Sequence, residues 1–547
     1  MEYLNIDGQQ FYNMVVNASN RLEDQKEYVN ALNVFPVPDG DTGTNMSMTF
    51  KSAVTEIKNL KGEGVGVIAK SLAKGALMGA RGNSGVILSQ ILRGISKGFE
   101  NKEIVESKEF ANSILEGAKA AYKAVMRPTE GTILTIIKSA GEAAVKSDAR
   151  DIRKLMEEIC NYSDYMLQKT PEMLPVLKQA KVVDAGGAGL LIILQGMYEV
   201  LERGIKSVEI CDNVGESTVN SVAKNIGSQD IKFGYCTEFF ILSGDVDIEK
   251  FKFELEPLGD SMIVVGSDDL VKVHIHTNDP GFILSKAVRL GQLSKVKIDN
   301  MREQHRHILE DEFSNKEELK QNLDREEEVK KYGFVSVSLG EGIKNIFKDL
   351  GVDYVIEGGQ TMNPSTEDIL NAVKNINAEN IFILPNNKNI IMAASQAAEL
   401  SDKNLYVIPT KTIPQGITAI TSFNPNGEVE DNINFMSESI TNVVTGSVTY
   451  AVRETEIDGK EIKEGDIMGL KDGKIAEVGK NVFDVCKSLL SNMVNEDSEL
   501  ITIFYGKDCE EKEVENFISE LEDQYDELDI QCYSGEQPLY YFIFSVE

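Results

Sequence analysis

The sequence predicts a multidomain protein with α and α/β parts. A helical domain spans residues 1–204 and a small α/β domain 205–308. A charged linker spans 309–331 and a C-terminal α/β domain 332–547. Three observations lead there. Apolar residues recur at helical spacing through the first region, broken by glycine-rich loops. From residue 205, runs of β-branched and aromatic residues replace that pattern. After a stretch dense in Glu, Asp and Lys at 309–331, strand and helix patterns alternate, as a parallel sheet requires.

Composition sets the bounds. With 547 residues, 42% of them hydrophobic, the chain can bury several cores. Its net charge of −32 opposes non-specific nucleic-acid binding and requires a cation wherever an anionic ligand approaches. The first residues, Met-Glu-Tyr-Leu-Asn-Ile-Asp, lack the basic and apolar regions of a secretory signal. No apolar run is long enough to span a bilayer. Six cysteines without a Cys-x-x-Cys pair fit reduced thiols and a cytoplasmic location.

Asp7 is a good N-cap for a first helix carrying Phe11, Met14, Val15, Ala18 and Leu22, whose apolar face continues through Tyr28, Ala31 and Leu32. The helix gives way to Asn33-Val-Phe-Pro-Val-Pro-Asp-Gly-Asp-Thr-Gly-Thr-Asn45. Asp39 and Asp41 flank Gly40. Two carboxylates so close repel unless a cation lies between them, and hard oxygen ligands suit Mg²⁺. Pro36 and Pro38 stiffen the approach. Thr42, Gly43, Thr44 and Asn45 offer hydroxyls, an amide and close backbone approach to phosphate oxygens. The same letters also make a good Asx turn between helices. A second helix is expected from Asn45. Further loops carry Gly79-Ala-Arg-Gly-Asn-Ser-Gly85, Arg127-Pro-Thr-Glu-Gly-Thr132 and Val182-Val-Asp-Ala-Gly-Gly-Ala-Gly189. Each reads either as a turn or as backbone amides presented at a helix start. In an antiparallel bundle, loops separated by helix pairs collect at one end. No Walker A sequence and no protein-kinase catalytic loop is present.

In the middle region, 231–242, 261–266 and 270–276 read as strands, with helices after Val246 and Gly281. His274 and His276 alternate on one strand, with Cα atoms about 7 Å apart. With Cys236 on a neighbouring strand they form a three-ligand set that suits Zn²⁺. Two solvent-facing histidines and a core cysteine are the plain alternative. His305 and His307 read as surface residues of a helix. In the C-terminal region, 332–337, 352–356, 381–384 and 405–408 read as strands. Gly358-Gly-Gln-Thr-Met-Asn-Pro-Ser365 opens a helix with Ser365 as N-cap. Residues 445–480 read as a β-rich insertion with a Lys471-Asp-Gly-Lys474 hairpin turn.

The motifs Asn33–Met46, Gly79–Gly85, Glu130–Leu134 and Asp184–Leu190 resemble the ATP-binding domain of dihydroxyacetone kinases. The whole chain resembles the ATP-binding subunit of bacterial fatty acid kinase, and its C-terminal region resembles DegV-type proteins. The resemblance implies an eight-helix barrel with Mg-ATP in the loops at one end. It implies Asp39 and Asp41 as Mg²⁺ ligands, with Asn33 where dihydroxyacetone kinases place a third, differently spaced aspartate. Thr42, Gly43, Thr44, Asn45, Asn83, Ser84, Gly85 and Thr132 would surround the nucleotide, and Asp184, Gly186 and Gly187 would close the site. It further implies a zinc-binding middle domain and a C-terminal docking module. The implied partner is a separate DegV-type fatty-acid-binding protein that carries the acyl substrate, and the chain is expected as a homodimer.

The chemistry is compatible. All four histidines lie at or beyond His274, so the helical domain offers no histidine base. A carboxylate acceptor is ionised at neutral pH and needs none, which fits acyl-phosphate formation. Two alternatives stay open: one component of a kinase for a small dihydroxyacetone-like alcohol, and a non-catalytic nucleotide-binding scaffold.

Overall fold

The computed structural model describes the chain except for residues 1, 34–39, 126, 211–234, 243–247, 268–269, 301–328, 360–361 and 458–459, and leaves out part of the side chains between 235 and 300. Residues 1–211 and 329–547 form one compact unit and 212–328 a second. The helical and C-terminal regions thus pack as one body.

The helical domain begins with β1 (Asn5–Asp7) and α1 (Gly8–Asp24). Asp7 caps α1 through a reciprocal box with Gln10, whose backbone N–H donates to Asp7 at 2.8 Å. The apolar face extrapolated to Leu32 is broken at Gln25, and α2 (Lys26–Ala31) restarts it. α3 (Thr42–Glu56) starts three residues before the expected Asn45. There follow α4 (Val65–Met78), α5 (Gly82–Gly98), β2 (Ile104–Glu106), α6 (Ser107–Ala124), α7 (Ile133–Lys146) and α8 (Ile152–Met173). α9 (Pro175–Ala180) and α10 (Ala185–Arg203) complete the domain. The eight long helices enclose a continuous apolar core that includes Phe11, Phe50, Phe99, Phe110, Ile136 and Ile193. β1 and β2 pair antiparallel. The loops after α2, α4, α6 and α9 are alternate connections of an antiparallel bundle and so share one end. Here α5 and α6 cross closely, and glycine is the reason: a Cβ on Gly94 would lie 2.4 Å from the Glu116 carbonyl oxygen.

The second unit holds β3 (Tyr235–Leu242), α11 (Ile248–Leu255), β4 (Gly259–Ser267), β5 (Leu270–Thr277), α12 (Pro280–Ala287) and β6 (Gln292–Asn300). The strands form an antiparallel sheet in the order β4-β5-β3-β6, in which β6 joins the three strands read from the sequence. His305 and His307 lie outside the described residues.

The C-terminal region resumes with β7 (Lys330–Ser338), α13 (Glu341–Asp349), β8 (Tyr354–Glu357), α14 (Thr366–Lys374), β9 (Ala378–Leu384), α15 (Ile391–Leu400) and β10 (Asn404–Val407). These strands form the expected parallel sheet, ordered β10-β9-β7-β8. α16 (Ile413–Thr421) and α17 (Val429–Ser439) lead to β11 (Val444–Tyr450) and the hairpin β12 (Thr455–Ile457) and β13 (Lys460–Ile462). β14 (Ile467–Lys471), β15 (Lys474–Gly479), α18 (Val482–Met493), β16 (Leu500–Tyr505), α19 (Glu511–Gln524), β17 (Asp529–Ser534) and β18 (Tyr540–Val546) follow. The stretch read as a β-rich insertion is largely integral, because β11, β14 and β15 join the sheet β15-β14-β11-β18-β16-β17. Asp472 and Gly473 both have positive φ, as the predicted hairpin turn requires.

The helical and C-terminal domains share side chains. Ala80 and Val86 of the helical domain are buried in the same cluster as Val335, Ile369 and Ile383 of the parallel sheet and its helices. No helix among the described residues is long and apolar enough to cross a membrane. Gly94→Ala should lower the stability of the unit by about 1–3 kcal/mol, because the added methyl overpacks the α5–α6 crossing. Urea unfolding followed by circular dichroism checks this.

Candidate functional site

The carboxylate at the head of α3 is buried. Asp41 stands at the N-cap position of α3 and is 7% exposed, yet its side chain makes no cap hydrogen bond. Asn30 takes that role. Its Oδ1 accepts the backbone N–H groups of Gly43 at 2.8 Å and Thr44 at 3.1 Å, and its Nδ2 donates to the Thr44 hydroxyl at 3.0 Å. Those N–H groups would otherwise need a cap from Asp41. Asn33 braces the same loop. Its Oδ1 accepts the Thr42 hydroxyl at 2.8 Å, and its Nδ2 donates to the Asn30 carbonyl at 2.8 Å. Asp39 lies outside the described residues.

A cavity of about 290 Å³ opens beside this loop. It is lined by Asn33 and Thr42, by Ser84 near the start of α5, by Thr132 and Ile133 at the start of α7, and by Asp184, Ala185 and Gly186 at the start of α10. The N-termini of α3, α5, α7 and α10 therefore meet at one cavity. Each points the positive end of its helix dipole toward the cavity. Two N-termini are capped from within: Thr132 accepts from the Leu134 N–H, and Asp184 from the Gly187 N–H at 2.7 Å. Arg127 adds a cationic side chain to the lining.

Asp184 is the perturbed acid here. The residue keeps an edge on the cavity, but its carboxylate is desolvated. That pushes its pKa from 3.8 to about 6 against the lowering effect of the Gly187 and Ile133 N–H groups.

Residues around Asp41 complete the constellation. Asn45 is buried, and Thr49 accepts the Arg81 backbone N–H at 3.2 Å while donating to the Asn45 carbonyl at 2.7 Å. Gly85 must be small because a Cβ there would sit 2.3 Å from the Thr49 hydroxyl. Asn83 is close to the C-terminal domain, with its Nδ2 3.5 Å from Asn389 Oδ1, and its own Oδ1 is buried without a partner among the described residues. Asn363 of the C-terminal domain donates to Asp41 Oδ2 and, at 3.3 Å, to Asn45 Oδ1.

Of the residues singled out in the sequence, Asn33, Thr42, Ser84, Thr132, Asp184 and Gly186 line the cavity. Gly43, Thr44, Asn45, Asn83, Gly85 and Gly187 stand beside it on the same helix starts. Asn30, Arg127 and Asn363 were not foreseen. Arg127 opens a loop whose Pro and Gly mark it as a break, but Asn30 and Asn363 leave no local signal.

The site could hold a divalent cation and phosphates. A buried carboxylate released from capping suits the cation, and convergent N–H groups suit the anion. In the second unit, the backbone register sets Cys236 opposite His276 and Glu238 opposite His274. The side chains of Cys236, His274 and His276 lie outside the described part, and no group of three metal-binding side chains occurs among the described residues.

The helical domain matches the family model of the DAK2 domain over residues 36–199. The FakA-like models of fatty acid kinase match 232–308 with their middle domain and 333–547 with their C-terminal region. Protein YloV of Bacillus subtilis is 44% identical over 560 residues, covering 100% of both chains. An uncharacterized protein of Staphylococcus saprophyticus is 41% identical over 99% of both. The chain belongs to the FakA-like family of fatty acid kinase proteins. Among solved structures, a fatty-acid-binding DegV family protein from Thermus thermophilus matches 40% of this chain and 99% of its own at 12% identity, with a TM-score of 0.31. A Streptococcus pneumoniae fatty acid kinase B3 protein loaded with linoleic acid matches 40% and 99% at 12% identity, with a TM-score of 0.28.

Two outcomes test the electrostatic and capping account. Asn30→Ala should cost about 1–2 kcal/mol by uncapping α3, read by chemical denaturation. Between about pH 4 and 6 the folded chain keeps a proton on Asp184 that the unfolded chain has lost. Stability therefore falls as pH rises through that window and stays lowered above it. Asp184→Asn keeps the cap acceptor and removes the charge. It should match wild type near pH 4 and exceed it by about 1–3 kcal/mol at pH 7, in urea titrations at both pH values.

Proposed function

We propose that the chain is the ATP-binding catalytic subunit of a two-component fatty acid kinase. It would transfer the γ-phosphoryl of ATP to the carboxylate of a fatty acid held by a separate DegV-type carrier protein. The observation that carries this reading is the meeting of four helix N-termini at one cavity, with the buried carboxylate of Asp41 heading one of those helices.

In this reading the backbone N–H groups at the starts of α5 and α10 and the dipoles of all four helices orient the phosphate chain, with hydroxyls from Thr42, Ser84 and Thr132 beside them. Asp41 and Asp39 would hold Mg²⁺, which would neutralise phosphate charge; Asn33 braces the start of α3, which Asp41 heads. An oxygen of the acyl carboxylate forms a bond to the γ-phosphorus while the bond from that phosphorus to the β–γ bridging oxygen breaks. ADP and acyl phosphate result. The acid is already ionised, so no proton has to be removed. Asp184 sits at the cavity as a cap for α10 and as a fixed negative wall near neutral pH.

Zinc in the middle domain belongs to the same proposal. The register of Cys236 opposite His276, with His274 two residues along β5, is the spacing a three-ligand ion needs. Protein purified without a histidine tag should carry about one zinc per chain, and His276→Ala should carry less.

The function is tested by trapping acyl phosphate with hydroxylamine from purified chain, Mg-ATP and oleate, with and without a DegV-type carrier. Product should require the carrier, and Asp41→Ala should abolish it. Equal product in both tubes would move the acyl site onto this chain. Phosphorylation of dihydroxyacetone without a carrier would favour the small-alcohol kinase.

A further inference from the structure

In open α/β sheets, ligands bind beyond the carboxyl ends of the parallel strands. In this protein that end of the parallel sheet is turned onto the helical domain. The loop after β8 brings Asn363 and Ser365 to it, and the loop after β9 brings Asn389. Ser365 forms an isolated bridge with Arg81, and the Thr366 N–H donates to the Ala80 carbonyl at 3.2 Å. Arg81 donates to the Asn363 carbonyl at 2.9 Å and pairs with Asp368 at 3.2 Å. Gln396 of α15 donates to the Leu77 carbonyl at 2.8 Å. Arg453, beyond β11, donates to the carbonyls of Ala31 and Asn33, at the entrance to the loop that carries Asp39 and Asp41.

At the centre of this contact Asn363 is 1% exposed. Its Nδ2 stands where Asp41 Oδ2 and Asn45 Oδ1 converge. Its Oδ1 is buried without a partner among the described residues. A buried acceptor left open marks a place for a polar ligand. Carboxylates that bind metals are themselves held by outer hydrogen bonds, and losing such a partner costs about 10–100-fold in metal affinity.

We propose that Asn363, supplied by the C-terminal domain, is a positioning residue of the cation site: its donated hydrogen bond sets the orientation in which Asp41 takes the divalent ion. The nucleotide site is then built by two domains, and the parallel sheet serves it by presenting Asn363 rather than by holding a small ligand of its own. This rests on the reading of Asp41 as a cation ligand.

The test uses the full-length chain and a fluorescent ATP analogue, titrated with Mg²⁺. Asn363→Ala removes the donor and the volume; Asn363→Leu removes the donor and keeps the volume. Both should raise the Mg²⁺ concentration needed for nucleotide binding by about 10–100-fold. Binding of the analogue without Mg²⁺ should stay as in wild type. Amide exchange of residues 79–85 and 363–368 should stay slow, because the Arg81 and Gln396 anchors remain. Wild-type Mg²⁺ dependence in either variant would overturn the proposal. So would a lowered Mg²⁺ requirement, which would make Asn363 a plug that competes with the cation. Asp41→Ala is the control: if it keeps wild-type Mg²⁺ dependence, the parent reading fails together with this one. If it loses that dependence while the Asn363 variants do not, this inference fails alone.

Discussion

A carboxylate taken out of water has to be paired, and the site is arranged around that requirement at Asp41. The residue heads a helix, where an aspartate would ordinarily engage its oxygens with backbone N–H groups. Asn30 takes over those groups, and Asn33 accepts the Thr42 hydroxyl. Asp41 instead accepts an amide donated by a domain more than three hundred residues away in sequence. Remove the Asn30 cap and the same carboxylate would be drawn back into the helix terminus.

The charge distribution solves a second difficulty. A chain of net charge −32 repels a polyanion at long range. Within the cavity, however, four helix starts and Arg127 supply positive potential over a distance shorter than the screening length. In the proposed reading the attraction of an anion is thus local and comes mainly from helix dipoles and Arg127. The cost shows at Asp184, whose carboxyl is desolvated by the same enclosure.

Much of this was legible in the sequence, for physical reasons. Helical periodicity with glycine-rich interruptions located the barrel, and alternate loops of a bundle necessarily share an end. Asp7 and Ser365 announced their caps because capping boxes are local, as the observed boxes at both positions bear out. What failed to show were relations between distant segments. The long first helix breaks at Gln25 without a Pro or Gly to announce it. β11 looked like part of an insertion because its partner β18 lies almost a hundred residues later. Asn363 read as an ordinary loop residue before Pro364, since its meaning comes from a residue in another domain. The Asp loop stood out in the sequence, but the identity of its neighbours did not.

The middle unit interrupts a body whose two parts flank it in sequence. This has a consequence for biosynthesis. Translation proceeds from the N-terminus, so the barrel can assemble its core while Asn363 and the sheet that carries it are still unmade. At about 5–20 residues per second, the ribosome needs on the order of ten seconds or more to go from the end of the barrel to Asn363 and the elements around it. Through that interval Asp41 lacks its donor and the Ala80–Val86 surface lacks its cover. Completion of the site therefore waits on synthesis of the C-terminal domain.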